Sequence, residues 1–184
     1  MKRKLFLTGP MGCGKSTAIA AAIGEKLPEF GGFLTKRIRN DAGKAIAFYL
    51  ERPDGKQREV FLDCETDLPK IDLEVFEKTA PKLLKGNCVV LDEIGGLELL
   101  CPAFMTALDT LLKRDIPVIG VLKAEGPAGA MIQKLGLMQE YELAANRFRE
   151  TLRNDPDTLV YDCGKFDEEA LRLAKDWVKE YACE

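Results

Sequence analysis

The chain contains no histidine. That absence excludes Ser-His-Asp and Cys-His machinery, His-ligated zinc or haem, and imidazole acid/base chemistry. Any catalysis must draw on carboxylates, Lys, Arg, hydroxyls, thiols, backbone amides or a borrowed ion. The six cysteines (Cys13, Cys64, Cys88, Cys101, Cys163 and Cys183) form no CxxC pair, which disfavours a zinc knuckle or a thioredoxin motif. Reduced thiols in a cytoplasmic protein are the expectation. There is no basic excess either: 27 Lys plus Arg stand against 30 Asp plus Glu, for a net charge of −3. General nucleic-acid binding and anionic-membrane binding are therefore not expected, though a local basic patch could still hold phosphate. Long apolar runs are missing too. Met1 to Leu7 begins like a signal peptide, but its apolar run stops at Thr8-Gly9, too soon for an h-region. No stretch approaches the ~20 apolar residues of a membrane span.

Repeats, low-complexity tracts and linkers are also absent, so residues 1–184 are expected to form a single domain. Leu5 to Leu7 reads as a buried strand, and Lys15 to Lys26 as a helix ended by Pro28. From about residue 30 to 63, short apolar runs alternate with an Asn40-Asp41-Ala42-Gly43 turn and a Pro53-Asp54-Gly55 turn, the signals of a β-hairpin insertion. Asp72 to Lys85 has helical spacing, with Pro81 awkward inside it. Cys88 to Leu91 is a continuous apolar run, as strands buried on both faces are. Leu97 to Arg114 reads as mainly helical with a fresh start at Pro102. Pro117–Leu122 and Thr158–Tyr161 read as strands. Ala128–Leu135, Leu143–Arg153 and the segment around Trp177 read as helices. Strands alternating with helices predict an α/β fold: a parallel sheet flanked by helices, with the hairpins as an antiparallel addition.

Gly9-Pro10-Met11-Gly12-Cys13-Gly14-Lys15-Ser16 fits G-x-x-x-x-G-K-[ST], and it sits between an expected strand and an expected helix. Its glycines let the backbone wrap an anion with the N–H groups pointing inward. The following helix aims its positive end at the same place. In a nucleotide-binding loop of this kind Lys15 holds the β- and γ-phosphates, and Ser16 offers its hydroxyl to Mg²⁺. Thr17 lies beside the α-phosphate side. Asp92-Glu93 closes the apolar run, where Asp92 can serve Mg²⁺ through its water shell and Glu93 can orient or deprotonate water. Lys123, at the carboxyl end of a strand, could contact phosphate or nucleobase, and Arg149 and Arg153 lie in a segment that could close over phosphates; solvated surface is the favoured reading of all three. Glu98 reads as a helix-dipole partner and Trp177 as core.

Gly9 to Thr17, Gly32-Phe33-Leu34-Thr35 and Val90 to Leu99 resemble the small P-loop nucleoside-triphosphatases of the THEP type, and Asn146-Arg147 resembles that family's Asn-Arg pair. The resemblance runs from about Lys2 to Leu152. It implies a RecA-like core that hydrolyses nucleoside triphosphates (ATP, GTP or others) to diphosphates with Mg²⁺ and broad base tolerance. By position it implies Lys15 and Ser16 on phosphate and Mg²⁺, Asp92 as the metal-side carboxylate, Glu93 as base, and Arg147 as a charge-neutralising arginine. Two positions depart from the family pattern: Arg37 stands where the family has Glu, and Gly96 where it has Lys. The rival readings are a nucleoside or nucleotide kinase on the same scaffold and a non-catalytic nucleotide-binding protein.

Overall fold

A computed structural model of the chain describes residues 1–66, 68–124, 132–133, 136–165 and 167–182. The strands are β1 (Lys4–Thr8), β2 (Gly31–Arg39), β3 (Ala45–Glu51), β4 (Arg58–Asp63), β5 (Lys70–Ile71), β6 (Val89–Ile94), β7 (Val118–Leu122) and β8 (Thr158–Asp162). The α-helices are α1 (Lys15–Ile23), α2 (Ala80–Leu83), α3 (Pro102–Leu112), α4 (Met138–Asn154) and α5 (Glu168–Tyr181). All eight strands join one sheet in the order β5-β4-β3-β2-β6-β7-β1-β8. From β2 through β6, β7 and β1 to β8 the pairing is parallel; from β2 outward to β5 it is antiparallel. β7 stands between the strand that enters the phosphate loop and the strand that carries the acidic pair, which is the RecA-like order.

The continuous apolar runs are explained by helices on both faces. In β1, Leu5 and Leu7 point to one side, toward Ile19 of α1 and Trp177 of α5, while Phe6 joins the opposite cluster with Phe33 and Phe104. β6 splits in the same way, with Leu91 on the Phe104 side and Val90 on the Trp177 side. Period-two alternation thus needs apolar residues at every position when both faces are covered. Trp177 is fully buried and donates its indole N–H to the Arg3 carbonyl at 3.0 Å.

Several elements differ from the sequence expectation. α1 ends at Gly24, and the chain continues as a 3₁₀ stretch over Gly24–Glu29 that contains Pro28. The residue-30-to-63 segment is not purely hairpin: Gly31–Leu34 pairs parallel with β6, and β2 from Leu34 onward pairs antiparallel with β3. The strand after Cys88 runs on through Asp92 and Glu93 to Ile94. Residues 75–79 form a π turn that leads into α2, which places Pro81 in the first turn of α2, where proline is tolerated. α4 starts at Met138, five residues before Leu143. The helix expected at 128–135 falls outside the described residues except for 132 and 133.

Gly32 shows why the Gly-Phe-x-Thr string needs its glycine. Its φ is +94°, and a Cβ there would lie 1.9 Å from the Val90 carbonyl oxygen. No side chain fits between β2 and β6 at that point.

Candidate active site

The site forms where β1, β6 and β7 end, at the carboxyl edge of the parallel sheet. Gly14 caps α1 in the left-handed region at φ +99°, a conformation that costs glycine little. The turn lets the chain pass from the loop into α1 with the helix's free N–H groups facing the loop. Lys15 is buried, and its ammonium donates to the carbonyls of Gly9 and Pro10, both at 2.8 Å. Its charge is thus held over the loop. Cys13 lies beside it, with Sγ 3.5 Å from the Lys15 nitrogen.

Ser16 and Asp92 are 76 positions apart in sequence, yet the Ser16 hydroxyl donates to Asp92 Oδ1 at 2.9 Å. Burial pushes Asp92 from 3.8 up to about 6; the Ser16 hydrogen bond opposes that rise and the charge of Glu93 adds to it. Glu93 turns toward β7, where its Oε1 lies 3.3 Å from the Lys123 ammonium. The Glu93 amide N–H donates to Thr35 Oγ1 at 3.3 Å, fixing the acidic pair to β2.

The turn after β6 is built around Glu98. This buried carboxylate accepts the amide N–H groups of Gly95 at 2.6 Å and Gly96 at 2.7 Å. Burial raises its pKa, opposed by these amides and by Lys123. Tyr141 of α4 donates its hydroxyl to the Gly95 carbonyl at 2.8 Å, and burial pushes that phenol up to about 12. A carboxylate and a phenol therefore hold the turn from opposite ends.

Lys15, Ser16, Thr17, Asp92, Glu93 and Lys123 line a single cavity of about 650 Å³. A second cavity, of about 610 Å³, lies on the β8 side of the loop, with Pro10, Met11, Ala124, Arg149 and Arg153 in its wall. Arg147 is exposed on α4 and lines neither. The helix phase explains the difference. Tyr141, Ala145, Phe148 and Leu152 form the buried face, and Arg149 lies four residues after Ala145 and three before Leu152. Its guanidinium reaches the Lys123 carbonyl at 3.4 Å and Asn146 Oδ1 at 3.2 Å. Arg153 pairs with Asp162 at 3.0 Å. Lys123 and Arg149 are half-buried and Arg153 is exposed, and each borders a cavity. The 3.6-residue phase of α4 was the one signal that separated Arg149 from Arg147.

The five described cysteines are free, and burial pushes Cys88 and Cys163 up to about 12, which leaves them poor nucleophiles. Among the described residues no helix is long and apolar enough to cross a membrane.

A family model described as NTPase matches residues 4–155, a stretch that contains the phosphate loop, the acidic pair and α4. The chain belongs to the THEP-type nucleoside-triphosphatase family. The cancer-related nucleoside-triphosphatase of Homo sapiens is 31% identical over 194 residues, covering 90% of each chain. A nucleoside-triphosphatase THEP1 of Methanosarcina barkeri is 29% identical over 175 residues, covering 80% of this chain and 98% of its own length. The solution structure of a human cancer-related nucleoside triphosphatase superposes with a TM-score of 0.63 at 25% identity, covering 96% of both chains. The crystal structure of THEP1 from Aquifex aeolicus shares the fold, with a TM-score of 0.66 at 15% identity over 96% of this chain and 98% of that one. Membership of the THEP-type family makes this chain a P-loop hydrolase that binds nucleoside triphosphates.

Proposed function

We propose that the protein hydrolyses nucleoside triphosphates to diphosphates and phosphate, with Mg²⁺ and with little discrimination between bases. One observation carries this reading. The Ser16 hydroxyl of the phosphate loop meets the Asp92 carboxylate at 2.9 Å, with Glu93 beside it in the same cavity. Loop amides and the α1 N-terminus cradle the phosphates, and Lys15 exchanges its loop carbonyls for phosphate oxygens. Glu93 takes a proton from the attacking water, and Lys123 holds that carboxylate in position. Arg149 lines the second cavity beside Gly9, Pro10 and Met11 of the loop, and is assigned to phosphate charge on the sugar side of the triphosphate ahead of Arg147, which lines neither cavity.

The donor set suits Mg²⁺. Ser16 and Asp92 supply a hydroxyl and a carboxylate facing each other, and Asp92 at about 6 is a buried carboxylate short of a compensating cation. Among the described residues no group of three acidic or thiol side chains could hold a metal alone. Mg²⁺ needs none, since it is commonly held by one or two protein oxygens plus substrate phosphates and water. Bound there, it supplies positive charge to the transferring phosphoryl group.

The departure at Gly96 has a local compensation. Lys123 Nζ lies 3.7 Å from the position of a Cβ on residue 96, so a cation is present near the place where the resemblance expects Lys. The test is phosphate release from ATP, GTP, CTP and UTP with Mg²⁺ and with EDTA. Comparable turnover of all four, lost in EDTA, is expected. Release only when a nucleoside acceptor is added favours a kinase, and tight binding without release favours a non-catalytic role.

A further inference from the structure

The loop cavity extends well past the phosphate-binding groups. It runs along the sheet from Glu93 on β6, past Thr35 and Arg37 on β2, to Phe48 on β3 and Leu62 on β4. The strand register produces this floor. Arg37 pairs with Phe48, Phe48 pairs with Leu62, and residues 35 and 37 share one face of β2. The far end is aromatic. Phe61 and Phe76 meet edge-on at 4.9 Å, and Phe48 stands 6.4 Å from Phe61. The Arg37 guanidinium lies 5.7 Å over the Phe48 ring. One planar cation therefore stands at the rim of a ring-lined slot.

On the reading proposed above, a triphosphate leaves this end free. That reading puts the terminal phosphate between Lys15 and the acidic pair and assigns ribose and base to the second cavity, which adjoins the loop at Gly9, Pro10 and Met11 on the β8 side. The β2–β4 end lies across β6 from that side. The whole cavity, about 650 Å³, holds the phosphate-binding groups at one end and continues beyond them to the rings at the other. An apolar wall with one oriented polar group is the usual make-up of a small-molecule site.

We propose that the aromatic end binds a second small molecule, a planar ring carrying an anionic group, of the nucleoside monophosphate class. The ring packs on the half-buried Phe48, with the buried Phe61 and Phe76 behind it, and the anion takes the two parallel N–H donors of Arg37. Arg37 lies one side chain from the slot, much as the phosphate lies one sugar from the base of such a ligand.

The test titrates the protein with AMP, GMP, CMP and UMP, in Mg²⁺ with a saturating non-hydrolysable ATP analogue and again without any triphosphate. Adenosine alone and inorganic phosphate alone are run in parallel. At least one monophosphate is expected to bind at one equivalent beyond the analogue, more tightly than nucleoside or phosphate alone. Arg37→Gln, an exposed change that leaves the core untouched, is expected to weaken it by about tenfold, the size of one lost charge-assisted contact. Phe48→Leu is expected to weaken it as well, with affinity for the ATP analogue unchanged in both variants. No monophosphate binding beyond the analogue, or binding that neither variant alters, overturns the proposal. Failure of the ATP analogue to bind, with the monophosphate still sensitive to Arg37→Gln, instead overturns the nucleoside-triphosphatase reading.

Discussion

Asp92 is expected to destabilise the folded chain at neutral pH, and Asp92→Asn to relieve that cost while removing function. In the folded protein the carboxyl is pushed from 3.8 to about 6, chiefly by burial. A raised folded pKa means that the folded state binds the proton more tightly than the unfolded state. The resulting stabilisation is fully present below about 4 and is lost as pH rises through about 6. At about 1.4 kcal/mol per pH unit of displacement, the full swing is on the order of 3 kcal/mol. Part of that is returned by solvent at the cavity mouth, so about 2 kcal/mol is the working figure. Asn keeps the oxygen that accepts the Ser16 hydroxyl at 2.9 Å and does not ionise. The assay is urea unfolding of both proteins in EDTA, without nucleotide, at pH 4.0 and pH 7.5. Relative to wild type, Asp92→Asn should be more stable at pH 7.5 by about 2 kcal/mol more than at pH 4.0. A stability difference that does not change between the two pH values would refute the reasoning.

Three further outcomes follow from the site. Lys15→Met should weaken triphosphate binding by ~10- to 100-fold in equilibrium titration, because it deletes a cation that makes charge-assisted bonds; unchanged affinity would remove Lys15 from the phosphate site. Glu98→Ala should cost about 1–3 kcal/mol in chemical denaturation, since it strips the acceptor from the buried Gly95 N–H and the partly buried Gly96 N–H, whereas Glu98→Gln should recover most of it. Arg149→Ala should lower the phosphate-release rate by about tenfold or more and Arg147→Ala by much less, judged from steady-state kinetics; the reverse order would reinstate Arg147.

Local chemistry was legible in the sequence, and long-range placement was not. The phosphate loop, the acidic pair and both hairpin turns are set by residues within ten positions of one another, so glycine conformation and apolar alternation reveal them. The pairing of Gly31–Leu34 with β6 was hidden, because a segment that turns into a hairpin at one end gives no local sign of a parallel partner at the other. Lys123 looked like an ordinary surface lysine, since its partner Glu93 is 30 residues away on the neighbouring strand. Glu98 was read as a dipole partner because nothing in the sequence shows that two amides of the turn before it donate to its carboxylate. Arg147 was favoured over Arg149 by resemblance alone, and the phase of α4 favours Arg149.

The most direct test of the central claim is phosphate release by Glu93→Gln, measured beside triphosphate binding by the same protein. Gln keeps the size of the side chain and removes the proton acceptor. Binding should stay within about threefold, because the phosphate loop is untouched, while turnover should fall by ~10²–10⁴-fold, the usual contribution of a positioned acid or base. Wild-type turnover in Glu93→Gln would contradict the account and leave the acidic pair without its catalytic member.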